Sequence, residues 1–250
     1  MLIAVVFLVV LAGLLLTWEM WICEGAHLGQ RFVVWLYDLA ARRYDQIKRF
    51  DPDWEQRVLG EPLSRLLANL PDARLLDVGA GTGRTFRAMA DPPGSRLGDP
   101  ASSETNFAAR NPYDFQSGQD RSTQLRVGVE ASRHMLRLGK QIVPEEVRWV
   151  QSWAVPLPLA SESFDAVVCL EVTEFTPNPK ITITEILRVL RPGGWLLISN
   201  RVGWQAPLIL GRTISRRRFP AFLIGLGFAE VEVLPWQVDY DMAWARKPWI

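Results

Sequence analysis

From residue 74 onward, short apolar runs alternate with stretches of helical spacing, and this alternation constrains the fold more than any other feature of the chain. The runs have the length of buried strands, and the segments between them carry one apolar face at helical period. Candidate strands cover 74–79, 125–130, 147–152, 164–170 and 194–200, with candidate helices near 82–90, 132–139 and 180–190. Repeated βαβ units predict an α/β domain built on a parallel sheet.

The C-terminal part carries a different pattern. The stretch "RRRFPAFLIGLGF" predicts a helix that stops at glycine, and "AEVEVLPWQVDYDMAWARK" alternates as two antiparallel strands do. Before the fifth strand, Pro192-Gly193-Gly194 is expected to end the preceding helix. The sequence therefore predicts a seven-stranded, mostly parallel sheet with an antiparallel hairpin at one edge.

Size and charge narrow the class of protein. A chain of 250 residues that is 48% hydrophobic can bury one sizeable core. Its 28 basic residues are balanced by 27 acidic ones, so no bulk field favours nucleic acid, and no nucleic-acid partner is expected. Cys23 and Cys169 lie far apart without a CxxC pair or a histidine cluster, so no metal site is expected.

The loop "LLDVGAGTGRTF", residues 75–86, joins the first strand to the first helix of this region. Backbone N–H groups at such a helix start point at whatever binds there. A dinucleotide fingerprint would place its third glycine at position 84, which is Arg84, and a phosphate-binding Walker loop would need a lysine that is missing nearby. Neither phosphate-binding motif fits.

This loop resembles motif I of the class I S-adenosylmethionine-dependent methyltransferases, and further motifs follow in the family's order over roughly residues 34–247. Within the family, the chain is similar to the group that modifies quinones and other small molecules. The resemblance implies a Rossmann-like fold, S-adenosylmethionine as cofactor and a small-molecule methyl acceptor.

The resemblance also implies a set of cofactor-binding residues. Family members carry an acid at the end of the second strand that binds the ribose hydroxyls, and Glu130 stands there; a helix-capping acid is the alternative interpretation. Trp153 stands where the family has an acidic residue near adenine. Its ring either stacks on or covers the adenine face or packs in the hydrophobic core. The full predicted set is Asp77, Gly79, Ala80, Gly81, Gly83, Glu130, Ala131, Met135, Trp153, Ala154 and Leu170.

No catalytic base stands out in the sequence. Ligands gather at the carboxyl edge of parallel strands, so Glu171 and Glu174 after the fourth strand are candidate substrate-facing groups, with a solvated pair as the alternative. Tyr44 is a third candidate, and with Tyr37 it lies in a segment similar to the one that folds over the cofactor in related enzymes.

Residues 94–123 interrupt the repeat. The gap from Gly83 to Glu130 is far longer than the roughly 20 residues expected in a βαβ nucleotide unit. The segment is polar and lacks a periodic apolar face, so we expect a disordered insertion, with a functional lid as the alternative.

The N-terminus carries a candidate membrane anchor, residues 1–23. Its first eighteen residues are uncharged and as a helix would span roughly 27 Å, against roughly 30 Å of bilayer hydrocarbon. A signal peptide, a lipoprotein signal and a buried core helix are the alternatives. Basic residues follow the run closely, which predicts a single-pass protein with its main domain in the cytoplasm. They are Arg31, Arg42, Arg43, Lys48 and Arg49.

The chain thus divides into the anchor, a helical linker or cap at 24–70, and a methyltransferase domain at 71–250. The cap is expected either to lie on the membrane surface or to pack on the domain. The leading hypothesis is a methyltransferase that is held at membrane lipid by its N-terminal helix and acts on a small, lipophilic acceptor. A membrane-anchored binding or scaffold protein of the same fold is the alternative, and a dinucleotide oxidoreductase is disfavoured by Arg84.

Overall fold

The computed structural model describes residues 1–68, 70–90 and 124–249. The expected insertion at 94–123 lies outside these residues.

A sheet of seven strands forms the centre of the fold, in the order β3-β2-β1-β4-β5-β7-β6. The first five strands are parallel, whereas β7 pairs antiparallel with both β5 and β6. The strands are β1 (Arg74–Val78), β2 (Leu125–Glu130), β3 (Val147–Gln151), β4 (Phe164–Cys169), β5 (Leu190–Arg201), β6 (Ala229–Gln237) and β7 (Tyr240–Arg246). The predicted mostly parallel sheet with an antiparallel edge hairpin is confirmed.

The strand order reverses between β1 and β4, because the chain proceeds from β1 to β2 and β3 on one side and from β4 to β5 on the other. Such a reversal opens a crevice at the carboxyl ends of the two strands. Both faces of the sheet are buried: Leu76 and Val167 belong to one apolar cluster, and Leu75 and Val168 to the other. Burial on both faces explains why these strands read as continuous apolar runs.

The fifth strand begins four residues earlier than the sequence pattern predicts. Leu190 already pairs with Phe164, and the ladder then resumes at Ala166 and Trp195. The residues between are accommodated by an irregularity in which Gly193 takes a positive φ of 76°. The Pro-Gly-Gly sequence therefore forms a bulge within the strand rather than a turn before it.

The described residues form nine α-helices besides the sheet. They are α1 (Leu2–Thr17), α2 (Gln30–Ala40), α3 (Tyr44–Lys48), α4 (Pro52–Glu55), α5 (Glu61–Ala68), α6 (Arg84–Met89), α7 (Arg133–Ile142), α8 (Pro179–Val189) and α9 (Phe219–Gly225). The segment containing α2 and α3 contacts α7, so it packs on the domain.

Helix α1 continues through a π-helical turn to Ile22, and Leu2–Ile22 is the one described helix long and apolar enough to cross a membrane. Only 6% of its most apolar window is buried against the rest of the chain. The helix is therefore not a core helix of the described domain.

Gly60 supplies a direct test of the packing between the N-terminal helices and α6. A Cβ at this position would lie 1.8 Å from the carbonyl oxygen of Ala88. Gly60→Ala is therefore expected to lower the free energy of unfolding by about 1–3 kcal/mol, because backbone must move to admit the methyl group. Gly225→Ala is the control, since nothing lies within 4 Å of its Cβ. Denaturant unfolding of both variants measures the difference, and equal stability would contradict the packing.

Candidate functional site

A cleft with about 700 Å³ of empty space, part of it open to solvent, lies at the carboxyl ends of β1, β2 and β4. Helix α2 and the start of α3 cover it from the opposite side. The lining residues include Val33, Val34, Tyr37, Tyr44, Gly79, Gly81, Val129, Glu130, Ala131, Met135, Trp153, Ala154, Leu170, Glu171, Val172, Phe175 and Thr176.

The glycine loop forms the floor of the cleft. Gly79, Gly81 and Gly83 all have positive φ angles, of 70°, 54° and 84°, which side-chain-bearing residues rarely adopt. A Cβ on Gly79 would lie 2.4 Å from a methyl carbon of Val172, whereas a Cβ on Gly81 would meet its nearest atom, Cε of Met135, only at 3.6 Å. The backbone of Gly81 is thus left accessible to a bound molecule.

Glu130 ends β2 at the rim of this loop. Its carboxylate accepts one hydrogen bond from the backbone N–H of Gly81, at 2.8 Å, and one from Ser132, at 2.7 Å. Burial raises the pKa of Glu130, and the bonds from Ser132 and Gly81 oppose that rise. A carboxylate held in this way keeps free lone pairs, which can accept hydrogen bonds from hydroxyl groups of a ligand.

Five further residues of the predicted cofactor-binding set line the cleft: Ala131, Met135, Trp153, Ala154 and Leu170. Met135 is fully buried, and Trp153 is half-buried at the surface of the cleft. Trp153 therefore offers an aromatic face where the family pattern has an acid, and a hydrogen bond to a ligand's polar edge would have to come from backbone there.

Three predicted cofactor residues are absent from the lining in the described part of the chain: Asp77, Ala80 and Gly83. Asp77 is buried beneath the loop, where burial raises the pKa of its carboxyl to about 7 and a hydrogen bond with the Thr85 side chain opposes the rise. Asp77 thus supports the loop from below and does not face the cleft. The binding roles of the other predicted residues stay predictions.

Within the predicted 24–70 segment, residues 30–48 cover the cleft, and from here on the cap means these residues alone. Carboxylates of the cap attach it across the cleft. Asp38 accepts hydrogen bonds from the Ser132 hydroxyl and from the backbone N–H of His134. Asp45 accepts a bond of 2.8 Å from the Thr82 hydroxyl and one of 3.0 Å from Arg87. The cap is therefore attached to the glycine loop and to the start of α7.

A buried ion cluster makes the third attachment. Arg84 pairs with Glu55 at 2.5 Å and with Glu171 at 2.7 Å, and Lys48 of the cap pairs with Glu171 at 2.5 Å. The guanidinium also lies over the ring of Phe50, 4.1 Å from its centroid. Sequence reasoning used Arg84 only to exclude a dinucleotide and missed this role, since its partners are up to 87 residues away.

The ion cluster bears on the catalytic candidates. Burial alone would raise the pKa of Glu171, but the charges of Lys48 and Arg84 outweigh it and hold the pKa below its usual range. A carboxylate so stabilised is a weak proton acceptor. Burial, and next the charge of Glu171, raises the pKa of Tyr44, so its phenol stays protonated.

Glu174 does not line the cleft among the described residues. Its carboxylate instead accepts a hydrogen bond of 2.6 Å from the Tyr240 hydroxyl on β7. Burial raises the pKa of Glu174 and the Tyr240 bond opposes the rise. The prediction that Glu174 faces a substrate is thus not met by its position, because a 3-10 turn at Thr173–Phe175 directs it toward the sheet.

The ion cluster yields a stability prediction. Arg84→Leu should lower the free energy of unfolding by about 3–5 kcal/mol, because it leaves Glu55 and Glu171 buried without their shared partner. Arg65→Leu is the matched control, since Arg65 pairs with Glu61 at an exposed helix surface and should cost about 0–1 kcal/mol. Denaturant unfolding of the two variants separates these outcomes. If the two variants lost similar free energies of unfolding, the predicted stabilisation by the ion cluster would be wrong.

Comparison with known proteins gives one domain-family match, described as "Methyltransferase domain", over residues 118–198. The chain is 28% identical over 163 residues to a ubiquinone biosynthesis O-methyltransferase of Dechloromonas aromatica, covering 65% of this chain and 59% of that protein. It is 30% identical over 131 residues to a demethylmenaquinone methyltransferase of Renibacterium salmoninarum, covering 52% and 42%. The chain thus spans less than two thirds of these relatives.

A solved structure extends the likeness beyond the matched domain. A S-adenosylmethionine-dependent methyltransferase from Thermotoga maritima superposes with a TM-score of 0.52 at 18% identity, covering 88% of this chain and 98% of that one. At that identity the likeness concerns the fold. The domain match, the motif order and this fold together support a class I S-adenosylmethionine-dependent methyltransferase, and they imply S-adenosylmethionine as the cofactor.

Proposed function

We propose that the chain catalyses methyl transfer from S-adenosylmethionine to a small, lipophilic acceptor at the cytoplasmic face of a membrane. One observation carries the proposal: the Glu130 carboxylate accepts a hydrogen bond of 2.8 Å from the backbone N–H of Gly81, and both residues line the cleft. The names of the quinone-related relatives support a lipophilic acceptor.

The donor groups of the cleft fit S-adenosylmethionine. Glu130 would accept hydrogen bonds from the ribose hydroxyls, as a carboxylate does for paired hydroxyl groups. Met135 and Trp153 would hold the adenine between apolar surfaces, and the glycine backbone near Gly81 would approach the methionine end closely. When bound, the cofactor supplies a methyl group that its own sulfonium charge already activates.

The chain's own contribution is alignment and exclusion of water. Tyr37, Tyr44 and Phe175 form an aromatic wall of the cleft on the cap side, with Tyr37 packed at 5.8 Å against the Phe175 ring. An acceptor held against this wall would meet the methyl group in line, and orientation of this kind supplies a large part of the rate in a displacement reaction.

The acceptor's proton is not removed by a carboxylate of the cleft in this proposal. Glu130 is engaged by two backbone N–H groups, and Glu171 is paired with Lys48 and Arg84. We therefore propose an acceptor whose attacking atom is acidic enough to ionise in solution or has no proton to lose, since such a nucleophile needs no general base.

The membrane location rests on helix α1 and on the charges that follow it. Leu2–Ile22 is long and apolar enough to span a bilayer, and Arg31 and Arg42 follow within the distance over which basic residues favour the cytoplasmic side. Lipid at the N-terminal helix and the small acceptor are the proposed partners.

A transfer assay tests the proposal. The full chain in nanodiscs is incubated with methyl-labelled S-adenosylmethionine and either the lipid extract or the aqueous extract of cells. We expect label in a product from the lipid extract. Label from the aqueous extract alone would contradict the lipophilic acceptor. Cofactor binding without any transfer would favour the non-catalytic binding protein instead.

Glu130→Gln tests the site itself. Loss of the charged acceptor should weaken S-adenosylmethionine binding about tenfold or more, because hydrogen bonds to charged groups contribute about 1.5–3 kcal/mol. Glu145→Gln is the matched control, since Glu145 is exposed in the loop before β3. Binding is measured by calorimetry, with thermal unfolding as a check on folding. If the two folded variants bound S-adenosylmethionine with equal affinity, Glu130 would not be a cofactor-binding residue.

A further inference from the structure

The segment 204–210, between β5 and α9, exposes large apolar side chains beside the N-terminal helix. Trp204 is 71% exposed, Leu208 39% and Leu210 64%. Nearby, Trp21 and Leu28 at the foot of the helix are also exposed, at 83% and 50%. A group of exposed apolar side chains of this size marks a contact surface, because exposing so many large apolar groups to water is unfavourable.

This segment, which we call the interfacial loop, is fixed to the foot of the helix. The indole N–H of Trp18 donates to the Leu208 carbonyl at 3.2 Å, and Nε2 of His27 lies 3.0 Å from the Leu210 carbonyl oxygen. His27 is in turn fixed by Glu19, whose carboxylate lies 2.9 Å from Nδ1. Ile209 is fully buried against Cys23 in the same cluster.

The length of the helix sets the depth of that contact. Sixteen residues of α1 rise only about 24 Å, which is less than the roughly 30 Å of bilayer hydrocarbon. The span reaches that thickness only if it includes Trp18–Ile22, which gives 21 residues and about 31 Å. The C-terminal end of the helix, Trp18–Ile22, must therefore lie at the boundary of the hydrocarbon layer. The carbonyl groups of Leu208 and Leu210, which are hydrogen-bonded near this end, lie at a similar depth.

We propose that the interfacial loop lies in the boundary layer of the bilayer, with Trp204, Leu208 and Leu210 in contact with lipid. This inference rests on the membrane location in the proposed function. The domain is then seated on the membrane by two contacts, the helix and the loop. Trp and Leu side chains are those that favour this layer.

The seating places the cleft beside lipid. Phe175 lines the cleft and also packs on the cluster formed by Cys23 and Ile209. The carbonyl of Thr176, a second lining residue, accepts a hydrogen bond from Arg212, just beyond the interfacial loop. The lining of the cleft is therefore joined to the interfacial loop through Phe175 and Thr176.

Site-specific quenching tests the seating on the full chain. Single substitutions Leu210→Cys, Ile142→Cys and Val9→Cys are labelled with an environment-sensitive fluorophore in phosphatidylcholine vesicles that carry a lipid-bound doxyl quencher. The native Cys23 and Cys169 are fully buried, so labelling is selective for the new thiol. Ile142 is the matched control, since it is 47% exposed and ends α7, which begins beside the cleft and runs away from it.

We expect quenching at position 210 to be several-fold stronger than at 142 and comparable with quenching at position 9, within the helix. If position 9 is quenched and position 210 behaves as 142 does, the seating is wrong while the membrane anchor stands. If position 9 is not quenched, the membrane location fails and the seating fails with it. Cofactor binding, measured on the same samples, reports separately on the methyltransferase site.

Discussion

The charge of Arg84 holds the functional half of this molecule together. Its guanidinium bridges Glu55 and Glu171 under the cap, with Lys48 completing the cluster. Each charge in the cluster has a partner, so the cost of removing the ions from water is met by short, well-aligned pairs. Glu171 lies in the loop after β4, next to Val172, and both residues line the cleft. The ion pair between Lys48 and Glu171 therefore holds the cap over the cleft.

The position of Arg84 also explains what the glycine loop is able to bind. In a dinucleotide-binding loop, a third glycine at this position allows the helix to pack closely on the strand. The arginine side chain instead turns away to Glu55 and Glu171, and the backbone left accessible is that of Gly81 beside Glu130. The cleft therefore offers an acidic group and an apolar wall, which suit a ribose and an adenine without phosphate.

The strands and the carboxylate at the end of β2 were predictable because their signals are local. The apolar runs have strand length, and Glu130 follows one of them directly, before the serine that caps α7. The ion cluster was not predictable, because Lys48, Arg84 and Glu171 are brought together only by the fold. The direction of Glu174 was also hidden, since a single 3-10 turn decides whether that side chain reaches the cleft or Tyr240.

Calorimetric titration of the full chain in nanodiscs with S-adenosylmethionine, repeated with NAD present, tests the central claim most directly. The account predicts saturable binding of one S-adenosylmethionine per chain, with an affinity that NAD does not change, because Arg84 stands where a dinucleotide-binding loop has its third glycine. Absence of binding by a folded sample, or displacement of S-adenosylmethionine by NAD, would contradict it.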